Sequence, residues 1–497
     1  MSRGRSILRP LDVTGTPHTS VGSRGLVSVA GLAAQGLIRF AVLFVIGRFA
    51  GPMVLGVVAT AMATAALLVL LWPSTSGQAA SRFIARARGR GDAEELSAVL
   101  GHLNRRFVQA TLVLAAVAVP AWSVVDGHAR GVGVWAGGLL VAAYLIGLAG
   151  QGYTRGVHYG CGAVSRVVAW DVATSLAGLV GVVGLLVAGV DGLWLLAPVA
   201  AALLVLTAGC WPWRTATTQA PGAPGKRVAL RRELDVFVAY GSLGTLASAG
   251  LVQLSLLAAR LAGDAAGAGQ YAAATAVALP LTLLSGAMSL VLYPTMAQAF
   301  GRRDRDAVAA HLDRGTRGLL VVVAPVVAVI AVLSPQVVGV IWGPSYAGTA
   351  VLLPVIVGAV LASMVAVPSV NALTSDDQVL GIRQISLVSM AGLVVAVVAW
   401  TLLVPRLGVL GVAWGYAAGV VTIAGYALAH QWRSWGMSWR GPALRTAGLA
   451  AAVVAAVVAL PAEAAGVRSV AAAGIVAAWA VAGRRDLAIW IALVRRR

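Results

Sequence analysis

The chain has 497 residues, of which 59% are hydrophobic and 11% are charged, and its formal net charge is +20. Its mean hydropathy is +0.88. Soluble domains carry about 25% charged residues, so this composition excludes one or several ordinary soluble domains. Two cysteines cannot build a disulfide framework. The composition predicts a protein with many membrane spans.

Apolar stretches of membrane-spanning length recur along the chain. A bilayer core needs about 20 apolar residues per helix. Fourteen stretches meet this requirement: 25–47, 52–73, 107–125, 132–152, 164–189, 192–213, 236–262, 269–298, 317–342, 348–372, 384–405, 408–429, 443–461 and 466–483. They lack the alternating pattern of a membrane barrel. The predicted fold class is therefore an all-α polytopic membrane protein with about 14 transmembrane helices (12–14).

The basic residues predict the orientation of these spans. Of 37 lysine and arginine residues, 31 lie in the two terminal segments or in the connections that follow even-numbered spans. Cytoplasmic segments carry such an excess of positive charge. We therefore expect a multi-pass protein of the cytoplasmic membrane with both termini in the cytoplasm. Because the charge marks one membrane face, we expect no nucleic-acid partner.

An internal repeat divides the chain into two similar halves. Residues 47–52 resemble residues 259–264, and residues 89–92 resemble residues 301–304, both at an offset of 212. Chance similarity in a sequence rich in alanine and glycine is the alternative. Six spans separate the copies, so the repeat predicts two six-helix lobes of the same orientation plus two C-terminal helices. The predicted domains are a disordered basic cytoplasmic tail (1–24), an N-lobe (25–213), a cytoplasmic linker (214–235), a C-lobe (236–430), accessory helices (431–483) and a basic cytoplasmic tail (484–497).

Five segments carry a family resemblance, and they occur in order over roughly residues 25–430. They lie at residues 47–56, 81–86, 269–294, 342–348 and 404–411. In these segments the chain resembles the oligosaccharide flippase branch of the multidrug/oligosaccharidyl-lipid/polysaccharide exporter superfamily. The resemblance implies a transporter of lipid-diphosphate-linked saccharides and not an enzyme. Fourteen spans also fit the lipid II flippase branch of that superfamily.

Arg39 is the charged residue that lies well inside the first span. A charge there costs about 2.5–3.5 kcal/mol on insertion scales, so it is expected to face a cavity or a partner. Gln35 and Ser28 continue the same helix face. We predict that this stripe lines a substrate cavity and that Arg39 binds a diphosphate. The alternative is a purely structural role for Arg39.

Three other ionisable residues are candidates for function. Arg48 and Arg260 occupy equivalent repeat positions at the outer ends of spans, where they could flank a portal or act as interfacial anchors, with Asp264 as a partner for Arg260. Asp171 lies within a span and could bind a coupling H+ or Na+. The favoured interpretation of Asp171 is structural pairing with Arg155 or Arg166.

Polar side chains in the seventh and eighth spans are candidate sugar ligands. Those included in the predicted cavity are Gln253, Thr275, Thr282 and Ser285. Hydroxyls in membrane helices also bond to their own backbone, and this alternative stays open.

The sequence thus predicts a flippase that moves a lipid-diphosphate-linked oligosaccharide by alternating access of two lobes, for surface polysaccharide or cell-wall assembly. The alternatives are an ion-coupled multidrug extruder of the same fold and a membrane polysaccharide polymerase or ligase. Expected partners are membrane lipids, a polyprenyl-diphosphate-linked saccharide and polysaccharide assembly proteins. We expect a monomer without catalytic residues, metal or cofactor, apart from the coupling H+ or Na+ considered for Asp171.

Overall fold

The structure is a computed structural model. It describes the backbone of residues 21–126, 132–212, 224–375, 379–484 and 486. Residues 1–20 of the predicted N-terminal tail and most of the predicted C-terminal tail lie outside the described residues. The side chain of Ser28 also lies outside them, although its backbone belongs to the first helix.

The described chain is all-α, as predicted, and has fifteen α-helices. They are α1 (Val21–Leu71), α2 (Pro73–Arg90), α3 (Ala93–Asp126), α4 (Val132–Gly160), α5 (Val164–Val187), α6 (Ala197–Cys210), α7 (Pro224–Ala262), α8 (Ala265–Gly301), α9 (Arg305–Val332), α10 (Ser334–Ile341), α11 (Thr349–Ser375), α12 (Val379–Leu407), α13 (Val409–Trp435), α14 (Arg440–Ala459) and α15 (Ala465–Ala482). Twelve described helices are long and apolar enough to cross a membrane. The predicted multi-pass membrane protein is confirmed.

The first two expected spans form a single run that is broken at Gly51. This residue has φ 84° and ψ 176° and is followed by Pro52. A positive φ is readily adopted by glycine, and proline cannot donate the backbone hydrogen bond that would continue the helix. The sequence Gly51-Pro52 therefore breaks α1 where the sequence predicts a boundary between spans.

Contacts divide the chain into two compact units. The N-terminal unit comprises residues up to Ala50 together with Val57–Leu261, and the C-terminal unit comprises Gly51–Gly56 and the residues from Ala262 onward. This division differs from the lobe boundary expected at residue 236, because α7 groups with the N-terminal unit. It also shortens the predicted linker 214–235, because α7 already begins at Pro224.

Ion pairs explain why the start of α7 belongs to the N-terminal unit. Glu233 accepts a hydrogen bond of 2.6 Å from Arg86 of α2. Asp235 is 2.9 Å from the His102 ring and 3.3 Å from the Arg106 guanidinium, both on α3. Hydrogen bonding to Glu233 is the largest cause of a raised pKa at Arg86. These acids lie at the end of the predicted linker 214–235, and their partners are more than a hundred residues away in sequence.

Close backbone packing holds helices together within the C-terminal unit. A Cβ atom added at Gly269 of α8 would lie 1.8 Å from the Pro52 carbonyl oxygen, and one added at Gly56 would lie 1.7 Å from the Ala265 carbonyl oxygen. Similarly, a Cβ at Gly411 of α13 would lie 2.7 Å from the Leu403 carbonyl oxygen of α12. Small residues permit such approaches between membrane helices.

A buried arginine attaches the accessory helices α14 and α15 to the C-terminal unit. Arg468 of α15 is only 4% exposed. Its guanidinium donates hydrogen bonds to Val332 O of α9 at 2.7 Å and to Leu460 O, at the end of α14, at 2.6 Å. The carbonyls at helix C-termini lack intrahelical partners and carry partial negative charge, so this cation satisfies two helix ends at once.

Candidate functional site

A cluster of polar and charged side chains joins three helices within the N-terminal unit. Arg155 of α4 forms an ion pair with Asp171 of α5. The same guanidinium nitrogen of Arg155 donates a hydrogen bond of 2.7 Å to Gln35 Oε1 of α1. Gln151 Nε2, one turn before Arg155 on α4, donates to the second oxygen of Asp171 at 2.5 Å. We refer to Gln35, Gln151, Arg155 and Asp171 as the ionic cluster.

Helical spacing places these side chains opposite one another. Gln151 and Arg155 are four residues apart and therefore share one face of α4. Asp171 follows the start of α5 at Val164 by seven residues, or about 10 Å of helix. The cluster thus lies inside the helices and away from their ends, where charged side chains pair with one another or face a water-filled cavity.

Both oxygens of the Asp171 carboxylate accept hydrogen bonds from neighbouring side chains. Its side chain is 4% exposed, and that of Arg155 is 21% exposed. One oxygen accepts from Arg155 and the other from Gln151, so charge and hydrogen bonds are both satisfied. This geometry supports the structural pairing of Asp171 with Arg155 that the sequence favoured over ion coupling.

The sequence alone assigned Arg155 to a cytoplasmic connection, because the apolar stretch ends at residue 152. In the structure α4 continues to Gly160, so Arg155 is part of the helix and its side chain reaches Asp171 of α5. Gln151 is therefore a site residue that the sequence reasoning did not include, and Arg155 entered that reasoning only as a possible partner of Asp171. Their spacing of four residues, next to a span that contains an acid, was the available signal.

Arg39 lies one turn beyond Gln35 on α1 and is exposed, whereas Gln35 is half-buried. In the described part of the chain, no acidic side chain pairs with Arg39. It precedes the break at Gly51 by twelve residues, which is about 18 Å of helix. Arg39 is therefore a deep cation beside a cluster whose acid is already neutralised.

The two predicted portal arginines occupy different environments. Arg48, near the end of the first segment of α1, is exposed, whereas Arg260, in the last turn of α7, is only 8% exposed. Asp264, proposed as a partner of Arg260, accepts a hydrogen bond of 2.7 Å from the Gly267 amide at the start of α8. Arg48 and Arg260, which the sequence predicts to be equivalent in the repeat, therefore differ in exposure.

The hydroxyls of α8 bond to their own helix. Thr275 donates to Ala272 O at 2.8 Å, Thr282 donates to Leu279 O at 2.7 Å, and Ser285 donates to Thr282 O at 2.8 Å. Each hydroxyl has one proton to donate, so these side chains could only accept hydrogen bonds from a sugar. Gln253 of α7 is half-buried.

The described residues contain no group of three or more histidine, cysteine, aspartate or glutamate side chains that could hold a metal ion. Within the N-terminal unit, the guanidinium of Arg39 and the amide nitrogen of Gln35 are the groups available to an anionic ligand.

Two comparisons relate this helical architecture to known proteins. Residues 231–374, from the start of α7 almost to the end of α11, match the family described as "Lipid II flippase MurJ". A solved structure of lipid II flippase MurJ in an inward closed conformation aligns with a TM-score of 0.67 at 10% identity, covering 93% of this chain and 99% of that chain. The fold is that of MurJ.

Multidrug transporters share this fold. An inward-facing MATE family transporter of the MOP superfamily aligns with a TM-score of 0.67 at 16% identity, covering 81% of this chain and 94% of that chain. An outward-facing MATE family transporter of the same superfamily aligns with a TM-score of 0.56 at 16% identity, covering 88% of this chain and 98% of that chain. No curated protein matches the chain.

These matches confirm the superfamily resemblance that the sequence motifs predicted. Both matched types are membrane transporters, which supports a flippase or exporter and not an enzyme. The ionic cluster lies outside the matched residues 231–374. The roles of its side chains are therefore argued from their own chemistry.

Proposed function

We propose that the protein is a flippase that translocates a lipid-diphosphate-linked saccharide across the cytoplasmic membrane by alternating access. The observation that carries the proposal is Arg39, a deep cation without an acidic partner among the described residues. The family match supports a lipid-linked substrate, and membrane lipids and that substrate are the proposed partners. The monomeric state, contact with assembly proteins and cytoplasmic termini stay predictions.

A diphosphate suits the electrostatics of this region. A guanidinium inside a membrane span is stabilised by an anion that accepts its hydrogen bonds in a bidentate arrangement. Within the neighbouring ionic cluster Asp171 and Arg155 neutralise each other, so Arg39 leaves a net positive charge. Gln35 already accepts from Arg155, and its amide nitrogen remains as a donor for a phosphate oxygen.

The second candidate is an ion-coupled multidrug extruder, which the MATE alignments favour. Two features of the site oppose it. A net positive charge repels cationic drugs, and both oxygens of Asp171 accept hydrogen bonds from protein side chains. Coupling to H+ or Na+ at Asp171 would require Arg155 to leave the carboxylate.

A flipping assay separates the two candidates. The protein is reconstituted in liposomes with a fluorescent polyprenyl-diphosphate saccharide, and arrival of the probe in the opposite leaflet is followed. The wild-type protein is expected to accelerate transfer. If it transports a cationic dye and leaves the saccharide lipid in place, the extruder is the correct function.

Arg39→Gln tests the role of the deep cation in the same assay. Hydrogen bonds to charged groups contribute about 1.5–3 kcal/mol, so we expect flipping to fall by about 10-fold or more. Arg406→Gln is the matched control, because Arg406 is an exposed arginine in the last turn of α12, and it should flip at the wild-type rate. Equal rates in Arg39→Gln and wild type would refute the phosphate-binding role.

A further inference from the structure

A cavity of about 650 Å³, open to the protein surface, lies between the end of α13 and the start of α14, within the C-terminal unit. It is lined by Trp432, Arg433, Gly436, Met437, Ser438, Arg440 and Gly441. Both flanking helices are candidate membrane spans, so the turn between them lies at a membrane surface. The excess of basic residues predicts that this surface is the cytoplasmic one.

Two arginines in the lining carry uncompensated charge. Arg433 and Arg440 are exposed, and no acidic side chain pairs with either one in the part of the chain that the structure describes. The nearby acids, Asp313 and Asp486, form ion pairs with other arginines. Asp313 accepts from Arg317 at 2.8 Å, and Asp486 pairs with both Arg317 and Arg445.

The wall of the cavity is held in place before any ligand binds. Gly436 ends α13 with φ 60°, and the Met437 amide donates to Trp432 O at 3.2 Å. Arg317 donates to Ser438 O at 3.0 Å. A site that is ordered in advance loses less entropy on binding.

The apolar side of the cavity suits a lipid. Trp439 is 4% exposed and packs with Met296, Leu312 and Ala372, and its indole nitrogen donates to Asp313 at 2.8 Å. Trp432 and Met437 pack against this group and also line the cavity. Tryptophan is enriched at the depth of lipid headgroups, where a phosphate would lie beside an apolar surface.

We propose that this cavity binds the phosphate headgroup of an anionic phospholipid, with Arg433 and Arg440 as its cationic ligands. The acyl chains would remain in the bilayer beside the two helices. This site is independent of the proposed substrate at Arg39, since it lies in the other unit and uses different residues.

Native mass spectrometry of the delipidated protein tests the proposal. Phosphatidylglycerol is compared with phosphatidylcholine of the same chain length, and preferential retention of phosphatidylglycerol is expected. Each basic side chain near a membrane surface contributes about 1 kcal/mol towards anionic lipid. The variant Arg433→Gln/Arg440→Gln should therefore lose about 30-fold of the preference.

Two further variants test whether the turn still folds and whether removing any two exposed arginines has the same effect. Arg433→Lys/Arg440→Lys keeps both charges and should keep most of the preference, which shows that the turn still folds. Arg105→Gln/Arg406→Gln removes two exposed arginines elsewhere and should lose much less of the preference. Equal loss in this control pair and in Arg433→Gln/Arg440→Gln would overturn the site.

Inorganic phosphate separates a lipid site from a general phosphate site. Millimolar phosphate should raise the melting temperature much less than phosphatidylglycerol does. If phosphate alone stabilises the protein through Arg433 and Arg440 as strongly as the lipid, the cavity binds free phosphate and the lipid assignment is wrong. Absence of any preference for phosphatidylglycerol over phosphatidylcholine would also overturn it.

Discussion

Two buried charged side chains, Asp171 in the N-terminal unit and Arg468 in the C-terminal unit, have different kinds of partners. In the N-terminal unit, side chains of three helices meet in an ionic cluster that includes the pair of Arg155 and Asp171. In the C-terminal unit, the buried guanidinium of Arg468 bonds to carbonyl oxygens at the ends of α9 and α14, and the glycine contact at Gly269 brings helix backbones together. Asp171 is therefore neutralised by a side chain of opposite charge, whereas Arg468 is held by backbone carbonyls at two helix ends.

A charged side chain inside a membrane helix bundle needs a partner or a water-filled cavity. In lipid, packing and interhelical hydrogen bonds replace the hydrophobic drive that joins helices in water. A close backbone contact costs nothing in desolvation, whereas a buried ion pair costs several kcal/mol per ion before its attraction is counted. The presence of the ion pair in the N-terminal unit is therefore weak evidence for added stability.

The largest effect on stability is expected from Asp171→Ala in the N-terminal unit. Removing one partner of a buried pair leaves the other charge uncompensated and costs about 3–5 kcal/mol. Thermal unfolding in detergent should show a large decrease in melting temperature.

The double variant Asp171→Ala/Arg155→Met removes both charges and should unfold at a higher temperature than Asp171→Ala. If the single variant has the melting temperature of the wild-type protein, the charge of Arg155 does not need Asp171 for its stabilisation. The ion pair would then not stabilise the cluster. In the same samples, Asp171→Asn reports whether flipping still responds to a H+ or Na+ gradient.

An intermediate effect is expected from Gly269→Ala in the C-terminal unit. The added methyl group would lie 1.8 Å from the Pro52 carbonyl oxygen, and backbone cannot move aside as a flexible side chain can. Overpacking of this kind costs about 1–3 kcal/mol, to be measured as a lower melting temperature.

Gly358→Ala is the matched control, because nothing lies within 4 Å of a Cβ added at that position of α11. It should unfold at or slightly above the wild-type temperature, since alanine favours helix more than glycine. Similar losses in both variants would mean that the effect comes from the helix and not from the contact.

The sequence predicts well what depends on local patterns. Continuous apolar runs gave the helices, and Gly51-Pro52 marked the break in α1. The sequence places Arg155 in a connection because the apolar run ends at residue 152, whereas α4 continues to Gly160. The hydrogen bonds of Arg155 to Gln35 and Asp171 allow a charged residue to lie within this helix. The grouping of α7 with the N-terminal unit depends on pairs such as Arg86 with Glu233, which no local pattern encodes.

The smallest effect on stability is expected from Thr282→Val on α8. The hydroxyl of Thr282 donates to Leu279 O, so valine removes a local bond within one helix and keeps the side-chain shape. Hydrogen bonds of this kind in membrane proteins average about 0.6 kcal/mol, and the melting temperature should barely change. Flipping should stay within about threefold of the wild-type rate, far from the loss expected for Arg39→Gln. A tenfold loss in Thr282→Val with unchanged stability would show that α8 contacts the substrate, and the ligand chemistry would then belong to both units.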